Sequence, residues 1–176
     1  MKYILASKGQ VLATRPTGKE IREEIQELLA AHDDGELELS FLGVLALSPS
    51  CADELIGRLY SDLVNGDLPK TRVSLSHLTD DHREILLPIL KRRSVIAMER
   101  EAKEVRLLNG GSHLERTFAV ASSLGEFRAA DIASREGLTV QAANNRLVKL
   151  LKSCLITRTE TNAAHGGREY LYAAAG

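Results

Sequence analysis

The chain has 176 residues, 44% of them apolar and 27% charged, with a formal net charge of −1, which is the composition of a soluble globular protein with one sizeable domain or two small ones. No run approaches the roughly 18 uninterrupted apolar residues of a membrane span, and the opening MKYILASKGQ lacks the apolar core and cleavage site of a secretory signal, so the expected compartment is the cytoplasm. The two cysteines, Cys51 and Cys154, sit singly in apolar patterns, which speaks against a disulfide or a zinc-spaced cluster and for buried thiols.

In chain order, residues 3–6 and 11–13 are short apolar runs joined by Ser7-Lys8-Gly9, the pattern of a hairpin. Thr17 and Glu20 form a capping box, after which Ile21, Ile25, Leu28 and Leu29 recur on one helical face until Asp33-Asp34-Gly35 stops the helix. Leu37, Leu39 and Phe41 alternate with polar residues as a half-buried strand, and a helix over 50–64 buries Leu55, Leu59 and Leu63. Asn65-Gly66-Asp67 ends it; Val73, Leu75 and His77 alternate as another strand. Thr79 starts a helix carrying Ile85, Leu86, Ile89 and Leu90, with Pro88 expected to kink it or delay its start. Strands over 94–99 and 104–108 complete an α/β layer of about four to six strands and three helices.

The next break is Asn109-Gly110-Gly111-Ser112, where paired glycines end regular structure and Ser112 with Glu115 makes a new capping box. This places a domain boundary between 1–109 and 110–176. Charge divides there as well: the second part carries eight Lys or Arg against six acids, a net of +2, and the first part a net of −3. The asymmetry permits nucleic-acid binding by the second part without requiring it.

Within 110–176 the pattern is three helices and a hairpin. A helix over 113–124 presents Leu114, Phe118 and Ala121; a second, starting near Arg128, turns Ala130, Ile132 and Ala133 inward and stops at Gly137; Thr139 caps a third running to Cys154. This order is the helix-turn-helix arrangement. At about 100° per residue, Val140, Ala143, Leu147, Leu150, Leu151 and Cys154 share the packed face of the third helix, with Gln141, Asn145, Lys149 and Lys152 opposite and Asn144 and Arg146 at the margins. Amide side chains there can pair with adenine, and Arg or Lys with guanine or phosphate, although any amphipathic helix has such a solvated face. Residues 157–161 and 168–172 read as β-strands flanking the polar tip 162–167, a hairpin with Arg158 and Arg168 near its ends.

The segment from Phe127 to Tyr172 resembles the winged helix-turn-helix regulators of bacteria and archaea. That likeness implies a domain of the α+β class that binds double-stranded DNA, with contacts from Arg128, Gln141, Asn144, Asn145, Arg146, Lys149, Lys152, Arg158 and Arg168. In the first part, Gly43-Val44 followed by Ser50-Cys51-Ala52-Asp53-Glu54 resembles the STAS-like domains, relatives of the anti-sigma-factor antagonists. That likeness implies an α/β partner-binding or oligomerising domain, and it places Ser50 where some relatives are phosphorylated; the other reading of Ser50 is a plain helix N-cap.

Catalytic signatures are missing from the sequence: there is no G-x-x-x-x-G-K-[ST], G-x-S-x-G or H-E-x-x-H. Asp53 and Glu54 point about 100° apart on a helix and read as solvated charge, and Asp80-Asp81-His82 reads as a helix start with a surface histidine rather than a metal site. The expectation is a non-enzymatic DNA-binding regulator, dimeric and without cofactor or metal. Its alternative is a protein-interaction module of a partner-switching system.

Overall fold

The computed structural model describes residues 1–31, 35–101, 104–162 and 168–174, except for the side chains of residues 162, 168 and 169. The chain divides into two compact units, Met1–Asn109 and Gly110–Gly176, and no helix among the described residues is long and apolar enough to cross a membrane.

In the first unit, β1 (Lys2–Ile4), β3 (Glu36–Ser40), β5 (Arg72–Ser76) and β6 (Ala97–Glu101) lie parallel in that order, and β7 (Glu104–Leu108) closes the sheet antiparallel to β6. The expected hairpin at the start does not form. Its first run pairs with β3, the chain then makes a 3₁₀ turn over Leu5–Lys8, and β2 (Val11–Leu12) pairs in parallel with β4 (Ala46–Leu47). Each half of the supposed hairpin finds a longer-range partner that buries Leu5 and Leu12 completely.

Three helical segments connect the parallel strands: α1 (Arg15–Ala31), the run α2 (Pro49–Ala52), π-turn (Asp53–Gly57) and α3 (Arg58–Asn65), and α4 (Asp80–Arg93). Every crossover steps the same way across the sheet, so right-handed connections put all the helices on one face. There Ile21, Ile25, Leu29, Leu55, Leu59, Leu86 and Leu90 meet Leu37, Leu39, Val73, Leu75 and Ala97 in one core. The alternate residues of the strands carry polar groups: Ser76 Oγ donates to Glu38 at 2.6 Å, Lys2 pairs with Glu38 at 2.9 Å and Arg100 with Glu36 at 2.7 Å.

Several helix starts differ from the sequence reading. The Thr14 hydroxyl, not that of Thr17, accepts an amide of the first turn of α1, that of Thr17, at 3.2 Å. Ser48, not Ser50, caps α2, accepting from Cys51 N at 3.1 Å. Helix α4 continues through Pro88, and His82 is buried at its start, closing a reciprocal cap with Thr79 and packing 5.2 Å from the Phe41 ring. Desolvation there holds the imidazole below its usual pKa.

The reading of Asp53 and Glu54 as solvated charge is also corrected: they are 8% and 4% exposed. In the π-turn the Arg58 amide bonds back five residues to Asp53 O, and the two acids serve different helices. Asp53 accepts from Arg93 Nε at 2.7 Å and Arg92 Nη2 at 2.8 Å, both on α4. Glu54 accepts from Arg22 Nη2 at 3.1 Å and pairs with Arg58 and Arg15 at 3.1 and 3.5 Å. Close approach is paid for with small residues: a Cβ on Gly18 of α1 would stand 2.6 Å from Cys51 O, and one on Gly57 2.7 Å from Arg93 Nε. The Arg93 and Arg92 guanidiniums hold the Asp53 carboxyl down to about 2, against an ordinary 3.8. A carboxyl that ionises more readily folded than unfolded stabilises fully above about pH 4 and loses that gain as pH falls through 2. Asp53→Asn is therefore expected to cost about 2 kcal/mol at pH 7 and under about 0.5 kcal/mol at pH 2, read from urea unfolding of both proteins at each pH.

The second unit comprises α5 (Gly111–Leu124), β8 (Glu126–Phe127), α6 (Ala129–Glu136), α7 (Val140–Lys152), β9 (Ile156–Asn162) and β10 (Arg168–Ala174). Helix α5 starts at Gly111, with Gly110 at its cap position, so Ser112 and Glu115 form no capping box. Strand β10 lies between β9 and β8, antiparallel to both. β8 was not expected from sequence; it brings Phe127 to stack on Tyr172 with ring centroids 5.9 Å apart. Leu114, Phe118, Ile132, Ala143, Leu147, Leu150 and Ile156 are buried with them. Taken together, the molecule is of mixed α/β class with a parallel-dominated sheet.

Candidate nucleic-acid interface

The chain enters α7 through a defined corner. Gly137 ends α6 in the left-handed region at φ 66°, which a glycine adopts without strain. Thr139 then caps α7, its hydroxyl accepting from Ala142 N at 3.1 Å. With Ala143, Leu147 and Leu150 buried against the unit, the helix presents Gln141, Asn145, Lys149 and Lys152 to solvent. Gln141 Nε2 donates to Asn145 Oδ1 at 3.3 Å, joining the two amides along the stripe. Asn144 is half-buried beside it. No acid occurs anywhere in VQAANNRLVKLLK, so this face is neutral to positive along its whole length.

Arg146 does not join the stripe. Its Nη1 donates to Glu136 Oε1 and to Thr117 Oγ1, both at 3.2 Å, while Thr117 Oγ1 donates to Glu136 Oε2 at 2.6 Å. The Glu136 side chain is only 1% exposed, and Arg116 lies 3.8 Å from it on the solvent side. One acid thus ties α5, α6 and α7 together, and Arg146 sets the seat of α7 from behind. Arg128 is exposed where α6 begins, its amide donating to Asp131 Oδ2 at 2.7 Å.

On the hairpin, Arg158 is exposed and its guanidinium carbon lies 4.3 Å from the Tyr170 ring centroid. This cation–π contact holds the charge over β10. Arg168 pairs through its backbone with Asn162 at the start of β10; its side chain and the tip 163–167 lie outside the described residues.

In the first unit, Ser50 is exposed at the second position of α2, its hydroxyl 3.1 Å from Ser48 Oγ. At the carboxyl ends of β3 and β5, His77 Nδ1 lies 3.1 Å from Ser76 Oγ and 3.3 Å from Ser40 Oγ. Both serines are buried. No group of three or more His, Cys, Asp and Glu among the described residues could hold a metal ion.

Several side chains at the second unit's surface were not anticipated. Val140, assigned by periodicity to the packed face, is 50% exposed because it is the first residue of α7, beyond the reach of the core. Val148 is 40% exposed at the edge of the polar stripe, between Gln141 and the half-buried Leu151. Its angular position was readable, at about 20° from Gln141. The Glu136–Arg146 pair has no sequence signal, since its members face each other across a helix-to-helix corner. The chain matches no protein-family model, no curated protein and no solved structure.

Proposed function

We propose that the second unit is a winged helix-turn-helix domain that binds double-stranded DNA, and that the first is a STAS-like domain that pairs two copies of the chain or reads a partner protein. The observation that carries the reading is the acid-free, solvent-facing stripe of α7, supported on α5 and α6 by the buried Glu136. Helix α7 lies in the major groove, where Gln141 and Asn145 read base edges. Lys149, Lys152 and Arg158 neutralise phosphates; three such contacts per copy make a modest electrostatic affinity, and a dimer doubles them.

The test is a gel-shift titration of the full chain on duplex DNA. Asn145→Ala with Lys149→Ala is expected to weaken binding at least tenfold at unchanged helical content, since it removes one base-reading amide and one phosphate contact. Lys152→Ala alone should lower the slope of log affinity against log salt by about 1. Unchanged affinity in both variants would sink the assignment of α7 as the reading helix.

One observation favours a protein partner instead. Val11, Leu42 and Leu45 are 61%, 60% and 74% exposed on neighbouring segments of the first unit, where Leu45 N bonds to Gln10 O at 2.7 Å. Under that reading the full chain binds no duplex at any salt concentration, and substitutions at Leu42 and Leu45 abolish its association with the partner.

A further inference from the structure

Helix α7 carries an exposed apolar side chain at the edge of its polar stripe. Val148 is 40% exposed, about 20° from Gln141, 40° from Lys152 and 60° from Asn145 around the helix. A β-branched residue is a poorer helix former than alanine or lysine, and at 40% exposure part of this side chain gains nothing from burial. Its neighbours define what could cover it. Gln141 and Asn145 offer amide donors and acceptors, and Lys149 and Lys152 offer charges that attract phosphate. A protein surface complementary to this stripe would need acids, but one chemistry combines phosphate, base edges and an isolated methyl group: the major groove at thymine.

We propose that Val148 is a specificity-determining residue that packs on a thymine C5 methyl, so that the site read by α7 contains A·T pairs at defined positions. This rests on the DNA-binding reading above and goes beyond it by naming what the helix prefers. Along the axis Val148 stands about 4.5 Å from Asn145 and about 10.5 Å from Gln141.

The amide pair sharpens the assignment. Gln141 Nε2 spends one hydrogen on Asn145 Oδ1, which leaves Gln141 one N–H and its carbonyl, the donor and acceptor that adenine N7 and N6 require. Asn145 then braces Gln141 and keeps its own two N–H donors outward. The stripe thus presents an adenine reader near the start of α7 and a methyl reader two turns later. Val140, also exposed, lies about 80° from Val148 beside the packed face and is not aligned with the amides.

The experiment uses the full chain and a duplex that it selects from a random pool. Each thymine in turn is replaced by uracil, which pairs identically but lacks the methyl group. Loss of one methyl contact is expected to weaken binding about fourfold at a single position. The loss on the uracil duplex should be smaller for Val148→Ala, whose shorter side chain should already bind the thymine duplex more weakly, whereas Val140→Ala should retain the full thymine preference. Uracil tolerated everywhere by the wild-type chain, with duplex binding intact, would overturn the role of Val148 and leave the DNA reading standing. A thymine preference undiminished in Val148→Ala would do the same. A pool from which no duplex is selected would overturn the DNA reading and this inference with it.

Discussion

Replacing Glu136 with alanine is expected to destabilise the second unit by about 3 kcal/mol, the low end for breaking a buried ion pair by removing one partner. The low end applies because Arg146 remains 21% exposed and recovers some solvation. Arg146 and Arg116 lose their carboxylate at once, Arg146 keeping only Thr117 Oγ1 at 3.2 Å, and the fully buried Thr117 hydroxyl keeps His113 O at 3.0 Å. Glu136→Gln retains the acceptor without the charge and should recover roughly half of the loss. Urea unfolding of the three proteins, followed by circular dichroism, measures this directly. If both variants unfold at the wild-type midpoint, the triad does not seat α7. Duplex affinity adds a second reading, since Glu136 touches no DNA in the proposed complex and its variants act only through the seat of α7.

The second large effect belongs to the first unit. Glu54→Ala should cost about 3 kcal/mol, because Arg22 is 11% exposed and loses its principal anion, keeping only Asp62 at 3.5 Å. Arg22 Nε still donates to Glu54 O at 3.0 Å, a backbone contact that alanine preserves. The loss is therefore electrostatic rather than geometric. Raising the salt concentration should scarcely rescue the variant, because a pair so far from solvent is weakly screened. Arg15→Ala, which removes a partner 57% exposed and 3.5 Å away, should cost under about 1 kcal/mol. Equal costs for the two substitutions would show that Glu54 is not discriminating between a buried and a solvated cation.

The parts of the fold that were legible in the sequence are those governed by one element's own periodicity. Ile21, Ile25 and Leu29 gave the inward face of α1, and Gly137 with Thr139 gave the corner before α7, because helix faces and caps are written within a few residues. What escaped was set by partners far along the chain. Residues 3–6 and 11–13 could not announce that they pair with strands some 35 positions away, so a local hairpin looked equally satisfactory. Asp53, Glu54 and His82 looked solvated because the groups that neutralise or enclose them come from α1, α4 and Phe41. In the candidate interface the exposed amides and lysines followed from helical geometry alone, whereas the inward course of Arg146 depended on an acid ten residues upstream.

The π-turn puts a constraint on chain length that no single side chain expresses. Its wider turn holds a residue more than an α-helix would, so the segments before and after it are out of step with each other. Cys51 and Ala52 on one side, and Leu59, Tyr60 and Leu63 on the other, lie in the same core across that extra residue. Trimming one position here would rotate everything downstream by about 100°, setting Tyr60, Ser61 and Val64 where Leu59, Tyr60 and Leu63 now pack. A lineage carrying this fold can vary many residues between 49 and 65 but cannot freely change their number. Conserved spacing, more than conserved identity, is the mark by which distant kin of this unit should be recognisable.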